Sequence, residues 1–216
     1  MAFVVAASHV GVAAHVLALT AAILVVVWVV HFGGGANLNS DDPDLIFNVH
    51  PLVMVLGFIL VIGEAIMAYK TVPSQRSVQK RVHMLLHLVA LGLGILGIHA
   101  AFKFHRESQT PNLSTLHSWL GISTICLFAL QWALGFLYFW FPGGAPPVRA
   151  MMAPVHSAAG VAVFLMAICT AETGLMQKGG GGPGPETRLI NFAGLILLLF
   201  GLFVCLSTAI PRIISI

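Results

Sequence analysis

Six uninterrupted apolar runs constrain this chain more than anything else in it. They cover residues 10–30, 50–69, 83–102, 117–140, 156–175 and 190–211. A helix needs about 20 mostly apolar residues to cross a bilayer. Helices suit that environment because every backbone polar group is bonded within the segment. Each run has the required length, and together they leave no room for a soluble domain. The expectation is an all-α, multi-pass integral membrane protein of six helices, a single unit over residues 1–216. Only 8% of residues are charged and the mean hydropathy is +0.97, values that no soluble domain of this size carries. A formal charge of +3, confined to loops, is too small to point to nucleic acid. The first run has no basic stretch before it, so it reads as a spanning helix rather than a cleaved signal. Cys126, Cys169 and Cys205 all fall inside apolar runs, without CxxC or CxxCH spacing. They read as small buried hydrophobes, not as disulfides or covalent haem anchors.

The anomaly is histidine, with ten in the chain against seven acids. Ionisable groups within a membrane are costly and mark function. Four of them, His50, His83, His117 and His156, each open an apolar run, at separations of 33, 34 and 39 residues. That is one crossing plus a short turn each time. Pro51 fits a first helical turn and places His50 at a helix entrance. His9, His15 and His31 lack the repeat spacing and read as interfacial or packing residues. Glu64 suits either a proton relay or a contact with the interface or a loop cation.

Basic residues in short loops set orientation. One side carries Lys70, Arg76, Lys80, Arg81, Arg149 and Arg212. The other carries Lys103, Arg106, Lys178 and Arg188, together with Asp41, Asp42 and Asp44. The 70–82 loop and both termini are therefore expected in the cytoplasm. Direction of travel then sorts the histidines: His50 and His117 share the non-cytoplasmic depth, and His83 and His156 the cytoplasmic one. Two opposed histidines in a helix bundle supply both axial nitrogens of a haem iron and leave no open position for oxygen. Two such pairs suit electron transfer across the bilayer. His87 stands four residues from His83 on the same helical face and competes with it as a ligand, or forms a metal site with it. His99 and His105 compete similarly with His50 or His117. The rival readings are another di-haem membrane cytochrome that oxidises a quinol, and a divalent-metal transporter using His83, His87, His99 and His105.

Several stretches together resemble the cytochrome b561 family of ascorbate-dependent transmembrane di-haem reductases. They are FNVHP around His50, GEAIMAYK at 63–70, KRVH at 80–83, KFH at 103–105, LHSWLG at 116–121, LQWALGF at 130–136, FPGG at 141–144 and PVH at 154–156. The KFH triplet is closer to plant members. The resemblance implies a four-helix core from segments two to five, holding two non-covalent b haems, with His50 paired to His117 and His83 to His156. It selects His83 over His87. It implies electron flow from cytoplasmic ascorbate to monodehydroascorbate or a ferric chelate on the other side. It also implies a homodimer in the bilayer of the vacuolar membrane or the plasma membrane.

Ascorbate is an anion at neutral pH, so the basic face suits a donor site. Lys80, Arg81 and Arg149 are the expected ascorbate-binding residues there, with Lys80 also assigned a catalytic part. On the opposite face Lys103, Phe104, His105, Arg106 and Asn112 form the expected acceptor site, where His105 exchanges the proton that accompanies radical reduction.

Overall fold

The computed structural model describes residues 2–179 and 182–210. Arg212 and the C-terminal end, counted above for orientation, lie outside the described residues. Among these residues there is no strand, and six helical stretches are long and apolar enough to cross a membrane: His9–Phe32, Pro43–Thr71, Arg76–Glu107, Leu116–Phe139, Pro146–Lys178 and Pro185–Ala209. The elements are α1 (Ala2–Val27), which runs into a π-helical turn at Trp28–Phe32, then α2 (Pro43–Val53), a π-helical segment Met54–Leu60 and α3 (Val61–Thr71). They continue with α4 (Arg76–Glu107), α5 (Leu116–Phe139), α6 (Pro146–Lys178) and α7 (Pro185–Ala209).

Three helices begin well before the histidine expected to open them. α2 starts at Pro43, where the Asp42 side chain accepts from the Asp44 amide at 2.9 Å. His50 is therefore two turns inside the span, and Pro51 lies in the helix interior. Proline there has no N–H to continue the ladder. The Met54 amide shares itself between the His50 and Pro51 carbonyls, and the chain continues as a π-helix through Leu60, a common adjustment where a membrane helix is interrupted. α4 starts at Arg76 and α6 at Pro146, so His83 and His156 are also interior, and Pro154 lies inside α6. Apolar runs mark the hydrocarbon segment, whereas capping residues mark the helix, and here the two differ by one to three turns. His117 alone stands at a helix entrance, one residue after Leu116, behind a Thr115 cap whose side chain accepts from the Ser118 amide.

α2, α3, α4, α5 and α6 form the central bundle, with α1 and α7 packed on each other along its flank. α1 turns Ala14, Ala18, Ala21 and Val25 inward and Val12, Val16, Leu19 and Ile23 outward, the helical periodicity of a face that meets lipid on one side only. The flank is pinned at both ends. Trp28 Nε1 donates to Glu186 Oε1 at 3.0 Å and Lys70 Nζ to the Ile210 carbonyl at 2.6 Å. Buried Asn48 donates to the carbonyls of Gly33 and Gly35, both at 2.8 Å, which ties the α1–α2 loop to α2. Cys126 and Cys169 are exposed on the outer surface and not buried as expected. A thiol is apolar enough to face lipid.

Candidate functional site

Two cavities open at opposite ends of the central bundle, and they share no lining residue. The first, about 360 Å³, lies between the end of α3, the beginnings of α4 and α6, and the end of α5. His83 and His156 face each other in it with ring centroids 6.3 Å apart. The second, about 380 Å³, lies between the beginnings of α2 and α5 and the ends of α4 and α6. There His50 and His117 face each other at 6.0 Å.

Those separations carry chemical meaning. A bond from a first-row metal to an imidazole nitrogen is about 2 Å long, and a ring centroid lies about 1 Å behind that nitrogen. Two imidazoles on opposite sides of one metal ion therefore have centroids roughly 6 Å apart. Both pairs meet this condition. In three of the four rings the far nitrogen is anchored to a backbone carbonyl: His50 Nδ1 to Gly97 O at 2.9 Å, His83 Nδ1 to Ala65 O at 2.8 Å and His117 Nδ1 to Thr170 O at 2.9 Å. Nδ1 is the donor in each bond, which leaves the Nε2 lone pair free for a metal. His156 differs, since its Nδ1 meets the Gln131 side-chain nitrogen at 3.1 Å.

Close packing around two of the rings requires glycine. A Cβ on Gly135 of α5 would stand 2.8 Å from His156 Cε1, and one on Gly174 of α6 would stand 2.7 Å from His117 Cε1. Each of α5 and α6 thus supplies one histidine and the bare backbone against which the other's histidine rests. Both cavities are otherwise lined mainly by apolar and aromatic side chains. A flat, largely apolar macrocycle with a metal at its centre would fit such a slot, with one facing imidazole on each side of it.

His87 lies in the first cavity, 4.5 Å from the His83 ring and 5.5 Å from Phe128, and its buried Nδ1 finds no hydrogen-bond partner. The backbone anchor belongs to His83, and His83 is the ring opposite His156. His99 is exposed and lines neither cavity. His83 and His87 line the first cavity, His105 the second and His99 neither, so the four residues of the transporter reading do not share a site. Glu64 pairs with His15, Oε1 to Nδ1 at 2.9 Å, and not with a loop cation.

At the first cavity's mouth Lys80 lines the wall, donates to the Phe139 carbonyl and lies 5.5 Å from the Trp140 ring. Arg81 and Arg149 are exposed and do not line it. Arg81 follows Lys80 by about 100° around the helix and takes the outer face. Arg149 stands two turns before His156 on the same face of α6, at the rim. Arg76, not singled out from sequence, does line the cavity, with its guanidinium 4.7 Å from the Tyr69 ring. At the second mouth Phe104, His105 and Asn112 line the cavity, and His105 Nδ1 meets Asn112 Oδ1 at 2.9 Å. Lys103 and Arg106 do not line it. Lys178 does, a residue that sequence reasoning counted only for orientation.

Comparison with known proteins identifies the family. The family model "Eukaryotic cytochrome b561" matches residues 49–180. A rice protein named as a probable ascorbate-specific transmembrane electron transporter is 45% identical over 206 residues, covering 92% of this chain and 88% of its own. An Arabidopsis transmembrane ascorbate ferrireductase is 44% identical over 203 residues, covering 91% of this chain and 85% of its own. A human transmembrane ascorbate-dependent reductase is 36% identical over 193 residues, covering 86% and 76%. The chain belongs to the haem-binding cytochrome b561 family.

Proposed function

We propose that this protein carries single electrons across a membrane, from cytoplasmic ascorbate to monodehydroascorbate or an anionic ferric chelate on the opposite side. The observation that carries the proposal is the pair of facing imidazoles at each end of the bundle, 6.3 Å and 6.0 Å between ring centroids. His83 with His156, and His50 with His117, would hold two non-covalent b haems. Each haem, when bound, would supply a one-electron couple. The chain's residues bind, orient and insulate. Lys80 and Arg76 form a cationic, aromatic-flanked mouth that suits an ascorbate monoanion better than a neutral quinol, and Arg149 adds charge at the rim. As ascorbate gives up one electron it also releases one proton, and this mouth opens to water. On the far side the radical anion takes one electron and one proton to become ascorbate. His105 donates its Nδ1 hydrogen to Asn112, which leaves Nε2 to exchange that proton with solvent.

The basic-loop count orients the 70–82 loop to the cytoplasm. A vacuolar membrane and a homodimeric state belong to the same proposal, on the family resemblance alone. The test uses the purified protein in oriented vesicles, with ascorbate on one face and ferric chelate on the other. Reduction of the acceptor that requires the protein and a red, b-type spectrum is the expected result. A colourless protein after expression with ample haem would overturn it.

A further inference from the structure

Two of the cations that the sequence placed at the acceptor mouth are engaged elsewhere. Lys103 Nζ donates to the Leu38 carbonyl at 2.7 Å, and Arg106 Nε stands 3.5 Å from the Glu107 carboxylate. Neither lines the cavity. The mouth nevertheless has a cation. Lys178, the last residue of α6, is the one Lys or Arg among the described residues that lines it. Its ammonium lies 5.3 Å from the Phe47 ring centroid, and that ring is 6.2 Å from His50 and 5.0 Å from Phe104.

A ring face attracts the ammonium and holds it in place, but it does not neutralise it. Among the described residues no carboxylate oxygen comes within 4 Å of Lys178. The one acidic side chain on the cavity wall is Asp44, in the first turn of α2, where the helix N-terminus offsets its charge. The C-terminus of α6 offsets the Lys178 charge only in part, so Lys178 presents a net positive charge with no carboxylate partner. Gly174, which packs on the His117 ring, precedes it by one turn on the same helix face, about 6 Å along the axis. A group held by Lys178 is thus one turn beyond the backbone on which a proposed haem ligand packs.

We infer that Lys178, and not Lys103 or Arg106, is the specificity-determining cation that receives an anionic electron acceptor at the non-cytoplasmic cavity. The inference rests on the proposed electron-transfer function. It assigns no bond-making step: the acceptor gains one electron while bound, and its charge decides how well it is held.

The experiment reoxidises the pre-reduced, haem-loaded full chain in stopped flow, with ferric-EDTA as anionic acceptor and hexaammineruthenium(III) as cationic acceptor. Lys178→Gln should lower the second-order rate with ferric-EDTA by about 5–10-fold at low salt and flatten its salt dependence. Lys178→Glu should lower it further, and Lys178→Arg should restore it. The rate with the ruthenium complex should be unchanged or raised. Arg188→Gln removes another charge on this side, exposed and off the cavity wall. An equal slowing in that variant would show a diffuse surface potential and overturn the assignment. So would equal slowing with both acceptors. Loss of haem or a shifted midpoint potential in Lys178→Gln, without charge selectivity, would mean that the lysine holds the cofactor's own carboxylates. If the unaltered protein binds no haem, or neither acceptor reoxidises it, the underlying function fails rather than the charge assignment alone.

Discussion

Adding one methyl group to α5 should remove one haem. A Cβ at position 135 would sit 2.8 Å from His156 Cε1, where carbon atoms pack at about 3.5 Å. The ring must then retreat by roughly 0.7 Å, several times the ~0.2 Å tolerance of a metal–ligand bond. The retreat is obstructed, because Gln131 Nε2 stands 3.1 Å from His156 Nδ1 and the Phe139 ring packs at 5.3 Å. Gly174→Ala makes the mirror-image demand on His117. There a Cβ would lie 2.7 Å from Cε1 and 3.0 Å from Nδ1, while Nδ1 is tied to Thr170 O at 2.9 Å. Spreading the helices instead would carry an overpacking cost of about 1–3 kcal/mol. Gly121→Ala is the control: it lines the same cavity as Gly174, and a Cβ there meets Thr170 Cγ2 at an ordinary 3.6 Å. The assay is haem per chain by pyridine haemochrome, with reduced-minus-oxidised spectra and circular dichroism to confirm folding. Gly135→Ala and Gly174→Ala should each lose one haem, a different one in each case, and Gly121→Ala should lose none. Two haems with unshifted spectra in both variants would refute the claim that these rings are the ligands.

Three further outcomes follow from the same contacts. His83→Ala should abolish the spectrum of the haem proposed for the first cavity, whereas His87→Ala should keep it, because the ring opposite His156 at 6.3 Å is His83; haem content of the two variants decides. Lys80→Ala and Arg76→Ala should each slow reduction by ascorbate about tenfold in stopped flow with haem content intact, the effect of losing one charge-assisted contact. Asn48→Ala removes two buried hydrogen bonds to the α1–α2 loop and should cost about 2 kcal/mol, read as a lower unfolding temperature in detergent.

Much of this was legible in the sequence, for physical reasons that also explain the rest. Hydrocarbon imposes a length and a polarity on any segment that crosses it, so six runs gave six spans and the histidine spacing gave their pairing. Helix starts were not legible from hydropathy. Asp42 caps the peptide ladder of α2 outside the apolar zone, and the π-helical segment after Pro51 let a proline sit where a start was expected, whereas α5 starts with its run, behind Thr115. The mouths were harder. Lys103 and Arg106 have the right sign and the right side of the membrane, but side-chain direction decides which cation faces a cavity. Adjacent positions on a helix point about 100° apart, which separates Arg81 from Lys80. A residue 72 positions beyond Arg106 in the chain, Lys178, reaches the same mouth only because α6 ends beside α2. The KFH triplet had no means of announcing that partner.

The wall between the cavities completes the functional argument. Phe128 lines one and Phe58 lines the other, and their rings meet edge to face at 5.0 Å. His87 packs on Phe128 from the side of the first cavity. Phe58 is 1% exposed and Phe128 5%, so the contact between the two rings is a buried apolar layer. An ion or a proton carrier would have to shed its hydration in that apolar layer, at a cost of several kcal/mol. An electron needs no such pathway, only a short separation between its two sites. If each cavity holds a haem, as proposed, a barrier one aromatic pair thick would pass the electron and hold back the ions. Protons released by the donor and taken up by the acceptor would then stay on their own sides, and each turnover would move net charge across the bilayer. In sealed vesicles under a clamped potential, the rate should therefore fall steeply when the acceptor side is made negative. A rate independent of that potential would show that protons cross with the electron and that the partition is not dry.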